Sequence, residues 1–183
     1  MRKILLALIV LGALASCEEN KESVRQLHAY FNLDSLLEQQ VFVLYDRGAE
    51  VQKVVRMDGE EEVRTFVPDT SQWRDEFAII KDFNINKPYY VGSFNEVKKA
   101  GKVIFQPNSE DLAVTQFELT YSEDELIRIE SFLDEEKYIY TNKRKLTMEF
   151  AEGLLKSYQI DGSQKMILQD EVDYVISGSI SVQ

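Results

Sequence analysis

Cysteine and histidine are almost missing from this chain, with one of each in 183 residues. A single cysteine cannot close an intramolecular disulfide. One cysteine with one histidine also falls short of the four such ligands of a structural zinc site and the about three of a catalytic one, so Cys/His zinc sites are excluded. Proline and glycine are scarce, at 3 and 8 residues. There is no low-complexity tail and no internal repeat of the kind that builds solenoids or propellers. No glycine-rich phosphate loop and no G-x-S-x-G nucleophile motif appears. Positive charge is in deficit, with 21 Lys and Arg against 32 Asp and Glu and a net charge of −11. A surface of that sign repels phosphate backbones, which argues against nucleic acid as a partner, and it repels anionic head groups too. Beyond residue 16, no apolar run approaches the ~20 residues of a bilayer-spanning helix.

What is present begins with a leader. Arg2 and Lys3 form a charged start, an apolar run follows from Ile4 to Leu14, and small residues close it. That is the anatomy of an export signal, with an apolar run too short to span a bilayer. Leu14-Ala15-Ser16-Cys17 resembles the lipobox of bacterial lipoproteins. The resemblance covers the leader only. It implies that residues 1–16 are a signal peptide, cut between Ser16 and Cys17 by signal peptidase II, and that Cys17 is the lipidated residue. A cleaved secretory signal with an incidental cysteine is the other reading. Removing residues 1–16 takes two bases and no acid, so the net charge of −11 becomes −13. Residues 17–22 then form a short acidic tether, Cys17-Glu18-Glu19-Asn20-Lys21-Glu22, reaching roughly 20 Å when extended. Acidic residues directly after the lipid-bearing cysteine resemble the export signal of surface lipoproteins in Bacteroidetes-type bacteria, although here the acids touch the cysteine. The outer membrane is therefore the expected location, with the surface and periplasmic leaflets both open.

Residues 23–183 read as one α+β domain. A short helix is predicted over 23–31, with Ser23 and Gln26 as a capping box, Val24, Leu27 and Phe31 on one face and His28 beside it. A second is predicted over 35–47. Ser35 and Glu38 would cap it, Leu33 would staple it from outside, Leu37, Val41 and Leu44 form its stripe, and Gly48 stops it. Period-two segments at 51–57 and 63–67 flank Asp58-Gly59, a hairpin signal. Residues 70–82 return to helical spacing, with Trp73, Phe77 and Ile80 inward. From residue 89 onward strands are expected at 89–94, 103–106, 113–121, 126–133, 137–140, 146–150, 154–160, 165–169 and 172–182. Asp161-Gly162 is read as a second hairpin turn. The last strand alternates cleanly, with Val172, Tyr174, Ile176, Ile180 and Val182 on one face. The fold class expected is α+β, with N-terminal helices packed on a curved, mainly antiparallel meander sheet. In element order alone this is similar to the half-barrel lipoprotein-carrier folds of bacterial envelopes.

Several groups are candidates for chemistry. Asp82, Asn84 and Asn86 occupy positions 1, 3 and 5 of a calcium-type loop, but Lys87 stands where glycine is needed and Ser93 where a bidentate glutamate is needed, so a polar loop is expected instead. Acidic clusters at Asp58 with Glu60–Glu62, Glu123–Glu125 and Asp134–Glu136 fall at predicted turns, where carboxylates are solvated and lack the desolvation that tunes acid/base pairs. His28 has no nucleophile or orienting partner to work with. Trp73 reads as a core anchor. Tyr89-Tyr90 and the pair Tyr138 and Tyr140, expected to share a strand face, read as core, with an open concave face gripping a lipid or sugar as the alternative. No catalytic residue, metal ligand or cofactor is assigned, and ligand-binding residues stay unidentified. The function expected is a membrane-anchored, non-catalytic binding or assembly domain, its membrane contact being the lipid on Cys17. A carrier or sensor of a hydrophobic ligand in a curved-sheet cavity is the alternative, and a carboxylate-dependent hydrolase ranks below both.

Overall fold

The structure, a computed structural model, describes residues 30–182. The leader, Ser16, Cys17, the tether at 17–22 and His28 lie outside the described residues. So does the helix expected at 23–31, except for Tyr30 and Phe31, which are not helical.

Helix α1 spans Leu33–Asp46. Its cap is Asn32, whose side chain accepts from the Ser35 backbone N–H at 3.0 Å, so the expected Ser35–Glu38 box is not the one used. Glu38 instead accepts from Arg74. Leu33, expected outside the helix, is its first residue and is buried with Leu37, Val41 and Leu44. Gly48 takes a left-handed φ of 58°, which ends the helix at little steric cost. Strands β1 (Glu50–Met57) and β2 (Glu60–Phe66) turn through Asp58 and Gly59, both at positive φ, as a tight hairpin requires.

The helix expected over 70–82 is split. Helix α2 covers only Thr70–Glu76, capped by Asp69 and Gln72 in a reciprocal box, and a 3-10 segment follows at Ile79–Phe83. The tighter winding has three residues per turn, so Phe77, Ile80 and Phe83 come to one face, and all are buried. A regular α-helix would have swung Phe83 off that face.

Seven further strands follow: β3 (Phe94–Lys99), β4 (Lys102–Pro107), β5 (Val114–Ser122), β6 (Glu125–Lys137), β7 (Tyr140–Ala151), β8 (Leu154–Met166) and β9 (Val172–Ser181). The strand expected at 89–94 is instead a 3-10 turn at Pro88–Tyr90, because Pro88 opens a turn and removes a backbone donor. The segment expected at 137–140 is the β6–β7 turn, at Tyr138 and Ile139, and the pieces on either side are longer strands than expected. Asp161-Gly162 is no turn either. It lies inside β8, paired with Lys145 and Arg144 on one side and with Val175 and Tyr174 on the other. The chain turns at residues 167–171 instead, so the strand expected at 165–169 is the end of β8 plus that turn.

All nine strands form one antiparallel open sheet in the order β2-β1-β9-β8-β7-β6-β5-β4-β3. Strands β3 to β9 are the expected meander. The β1–β2 hairpin joins by pairing β1 against β9, with Glu50 opposite Ser181 and Met57 opposite Tyr174. The edge strand β2 is exposed and carries Glu60, Glu61, Glu62 and Arg64, charges that discourage further strand pairing. The fold class is thus α+β, built on a nine-stranded antiparallel sheet.

Register places the turns at two ends of the sheet. The β1–β2, β6–β7 and β8–β9 turns share one end; the β3–β4, β5–β6 and β7–β8 turns share the other. Leu37, Val41 and Leu44 of α1, Trp73 and Phe77, and sheet residues such as Phe117, Ile129, Leu146, Tyr158 and Ile160 belong to one buried cluster. Gln40 of α1 reaches the β7–β8 turn, donating to Gly153 O and accepting from Leu155 N, both at 2.9 Å.

Candidate functional site, an apolar groove at one end of the sheet

On β9, alternate residues Val172, Tyr174, Ile176, Gly178 and Ile180 share a face. Gly178 and Ile180 are buried, whereas Val172, Tyr174 and Ile176 are only partly covered. Cover thins because the 3-10 segment at Ile79–Phe83 is short, and Ile79 is the residue it presents there. Met57, opposite Tyr174 in β1, flanks the gap on one side. Gln164, opposite Val172 in β8, and Met166 flank it on the other. Together with Gln169 and Asp170 from the β8–β9 turn, these residues line a groove of about 400 Å³. Most of the lining is carbon and sulfur. The polar groups are two amides, one carboxylate and one phenol, so the groove offers contact area and few hydrogen bonds.

Tyr174 is the hinge between groove and core. Its ring lies over Gly162, where an added Cβ would come within 2.2 Å of Tyr174 Cζ. The same device recurs deeper in the sheet, where Tyr158 covers Gly178 and an added Cβ would come within 2.3 Å of Tyr158 Cε1. Tyr158 is walled in. Its hydroxyl donates to Glu76 Oε2 at 2.6 Å, and Glu76 is ion-paired with Lys53 at 2.8 Å. Burial first, then the Glu76 hydrogen bond and charge, push the Tyr158 phenol far above its ordinary value. Tyr174 is also raised, by burial first; the Arg144 cation pulls it down and Asp82 pushes it up. Both phenols are therefore neutral at physiological pH.

Arg144 is buried beside Tyr174, with its side chain 8 % exposed. It donates to Asp82 Oδ2 at 2.8 Å and lies over the Phe83 ring at 5.6 Å. Asp82, the first residue of the calcium-type loop pattern, is thus the counter-ion of a core-edge arginine. Asn84 donates to Asp34 and accepts from Asn86 N. Asn86 accepts from Tyr30 N and donates to Tyr30 O and Phe31 O, which fixes the start of the described chain. The three side chains do structural work in three directions. Among the described residues, no group of three or more His, Cys, Asp and Glu is arranged to hold a metal ion.

The acidic clusters do not converge. Glu61 and Glu62 pair with Arg56 and Arg64 on the exposed hairpin. Glu123 and Asp124 are an exposed turn at positive φ. Asp134–Glu136 lie in β6, not in a turn, because that strand continues to Lys137. They line a polar depression of about 560 Å³ with Glu110 and Asp111, and Asp134 pairs with Lys143 at 3.3 Å. A depression of about 490 Å³ includes Lys143, Lys145, Asp161 and Asp173. Its charges are largely matched: Lys145 pairs with Glu130 at 3.2 Å and stacks on Phe132. Burial alone would raise the Glu130 carboxyl, but the Lys145 and Arg128 cations outweigh it and hold the carboxyl below the ordinary range.

Trp73 is fully buried against Phe77, as a core anchor should be. Tyr90 is buried while its neighbour Tyr89 is exposed. Tyr138 and Tyr140 do not share a strand face; Tyr138 sits in the β6–β7 turn. The groove residues Met57, Ile79, Gln164 and Met166 carried no signal in the sequence. Val172, Tyr174 and Ile176 did, through the alternation of β9, but as covered core.

No protein-family model matches this chain, and no curated protein matches it. Among solved structures, the S-type phycobiliprotein lyase CPES from Guillardia theta is similar at 13% identity, over 84% of this chain and 98% of that one, with a TM-score of 0.26. A likeness of that size carries no argument about fold or function.

Proposed function

We propose that this chain is a bacterial envelope lipoprotein, anchored through Cys17, whose domain at 23–183 binds a hydrophobic, lipid-like ligand without transforming it. The observation that carries the binding reading is the groove. Its volume of about 400 Å³ falls in the range of ligand pockets, roughly 300–1,000 Å³. Its walls match an acyl chain or another apolar group better than a charged substrate. The finer architecture belongs with this reading: helices covering one face of a sheet that curves as a half-barrel. Register shifts in β5–β6 and β7–β8, and two glycines roofed by tyrosines, are the devices that bend sheets. The anchor rests on Leu14-Ala15-Ser16-Cys17, and the outer membrane is the location that goes with it. Two acyl chains or more make such attachment stable, at about 0.8 kcal/mol per buried methylene.

Mass spectrometry of the purified protein under native conditions tests the ligand. A bound apolar molecule of lipid size at near one per chain is expected, and a clean apo mass after gentle purification from cells would contradict the reading. Metabolic labelling with palmitate tests the anchor separately. Label should enter the protein and disappear in Cys17→Ser; unlabelled wild type, or label that survives the substitution, would remove the anchor and leave the groove untouched.

A further inference from the structure

Among the described residues, the two most exposed large apolar side chains lie on neighbouring turns with other exposed apolar residues beside them. Leu168 is 99% exposed and Tyr138 94%, with Ile139 and Ile167 more than half exposed and Met166 close to it. Met166 ends β8, and the others belong to two neighbouring turns, β6–β7 and β8–β9. The turns are tied together where Ile167 N donates to Ile139 O at 2.9 Å. Their apolar character is not a requirement of turning. Leu168 adopts a left-handed φ of 63°, a conformation that glycine or asparagine takes at much lower cost. Solvated turns are normally polar, and a contiguous apolar patch on a soluble surface marks a contact with something apolar.

We propose that this pair of turns is a membrane-docking edge, with Tyr138, Ile139, Ile167 and Leu168 dipping into the head-group layer of a lipid bilayer. Two observations select a bilayer over another protein. Tyrosine beside aliphatic residues is the composition of the membrane interface, where an amphipathic ring sits at head-group level. The chain also enters the described fold on this half of the sheet: Tyr30 accepts from Phe94 N, and Phe94 and Pro107 are the ends of β3 and β4 that point the same way as Lys137 and Tyr140. A lipid on Cys17 would therefore tether the domain with these turns toward the bilayer. Docking itself does not require that lipid.

The edge also deepens the ligand reading, on which this one step rests. Met166 belongs both to the turn cluster and to the groove lining, and Gln169 and Asp170 continue from Leu168 into the rim. A docked domain would hold the groove mouth at the lipid surface, so an acyl chain could pass between bilayer and groove without crossing water.

A tryptophan reporter tests the edge. The full chain carrying Leu168→Trp is mixed with phosphatidylcholine vesicles whose acyl chains bear bromine, a contact quencher. Glu152→Trp, in the β7–β8 turn at the opposite end, is the control, and the unsubstituted protein supplies the background of buried Trp73. The Leu168→Trp emission should move to the blue and be quenched, and the Glu152→Trp emission should do neither. Adding Tyr138→Asp and Ile167→Asp should weaken vesicle binding at least tenfold, since each removes an apolar side chain from the contact. Those positions are exposed, so the melting temperature should not move. Absence of quenching at Leu168→Trp, or equal quenching at both ends, would overturn the proposal. A blue shift without vesicles that fades on dilution would overturn it as well, by showing that a second copy of the chain covers the turns. Quenching with no lipid in the native mass spectrum would leave the edge standing and reject the groove.

Discussion

Two glycines roofed by tyrosines allow the openness of the groove to be measured as a difference in stability. Gly178→Ala places a methyl group against Tyr158, and Gly162→Ala places one against Tyr174; both Cβ positions fall well inside contact distance of the ring. The chemistry is the same, and neither glycine has a positive φ, so alanine adds no backbone strain. What differs is where the displaced ring can go. Tyr158 is 1% exposed and tied to Glu76, which is itself paired with Lys53. Overpacking a closed site costs about 1–3 kcal/mol, and breaking a hydrogen bond to a charged partner about 1.5–3 more, so Gly178→Ala should cost roughly 3–5 kcal/mol. Tyr174 borders the groove and can swing into it, at the cost of a less favoured rotamer, about 0.5–1.5 kcal/mol. In urea, with a slope of about 1–3 kcal/mol per molar, the two midpoints should separate by about 1 M or more at similar slope. Equal, large losses would mean that Tyr174 is as confined as Tyr158 and that no groove lies beside it. Equal, small losses would mean that neither ring is held against its glycine.

Two other perturbations bear on the same region. Asp82→Ala removes the carboxylate that Arg144 holds, leaving a buried guanidinium without its counter-ion; a loss of about 1.5–3 kcal/mol by chemical denaturation is expected, with Asp82→Asn recovering part of it, and a change below about 0.5 kcal/mol would show the pair to be idle. For Tyr90, burial first and then neighbouring Tyr89 raise the phenol to about 12, so the fold favours its neutral form; that contribution is complete below the ordinary value near 10 and is lost as pH rises from there towards 12. The urea midpoint should fall across that window and fall less steeply in Tyr90→Phe; an identical decline in both proteins would remove Tyr90 as a cause.

The parts of the fold legible in the sequence are those fixed by local pattern. Alternation marked β9, the inward stripe Leu37, Val41 and Leu44 marked α1, and Asp58-Gly59 marked a hairpin whose residues do adopt positive φ. The same dipeptide misled at Asp161-Gly162. There the glycine serves a ring that arrives twelve residues later, from Tyr174 on the next strand, and no local reading contains that partner. Helix spacing correctly turned Trp73, Phe77 and Ile80 inward but missed the switch to 3-10 winding, which also delivers Phe83. Of the groove, the sequence showed the β9 wall and nothing else. Its existence depends on where cover from the Ile79–Phe83 segment stops, a tertiary matter. Tyr138 and Leu168 were invisible as a pair because their turns come together only through the pairing of β7 with β8.

The proposed function requires the groove to bind an apolar molecule. Titration of the protein with a fluorescent naphthylamine dye, beside the variant Ile176→Glu, tests it most directly. The wild type should give a saturable rise in emission with one site per chain. The variant, which places a carboxylate in the apolar wall, should bind at least tenfold more weakly with its fold intact by circular dichroism. Equal binding by both proteins, or none by the wild type, would contradict the claim.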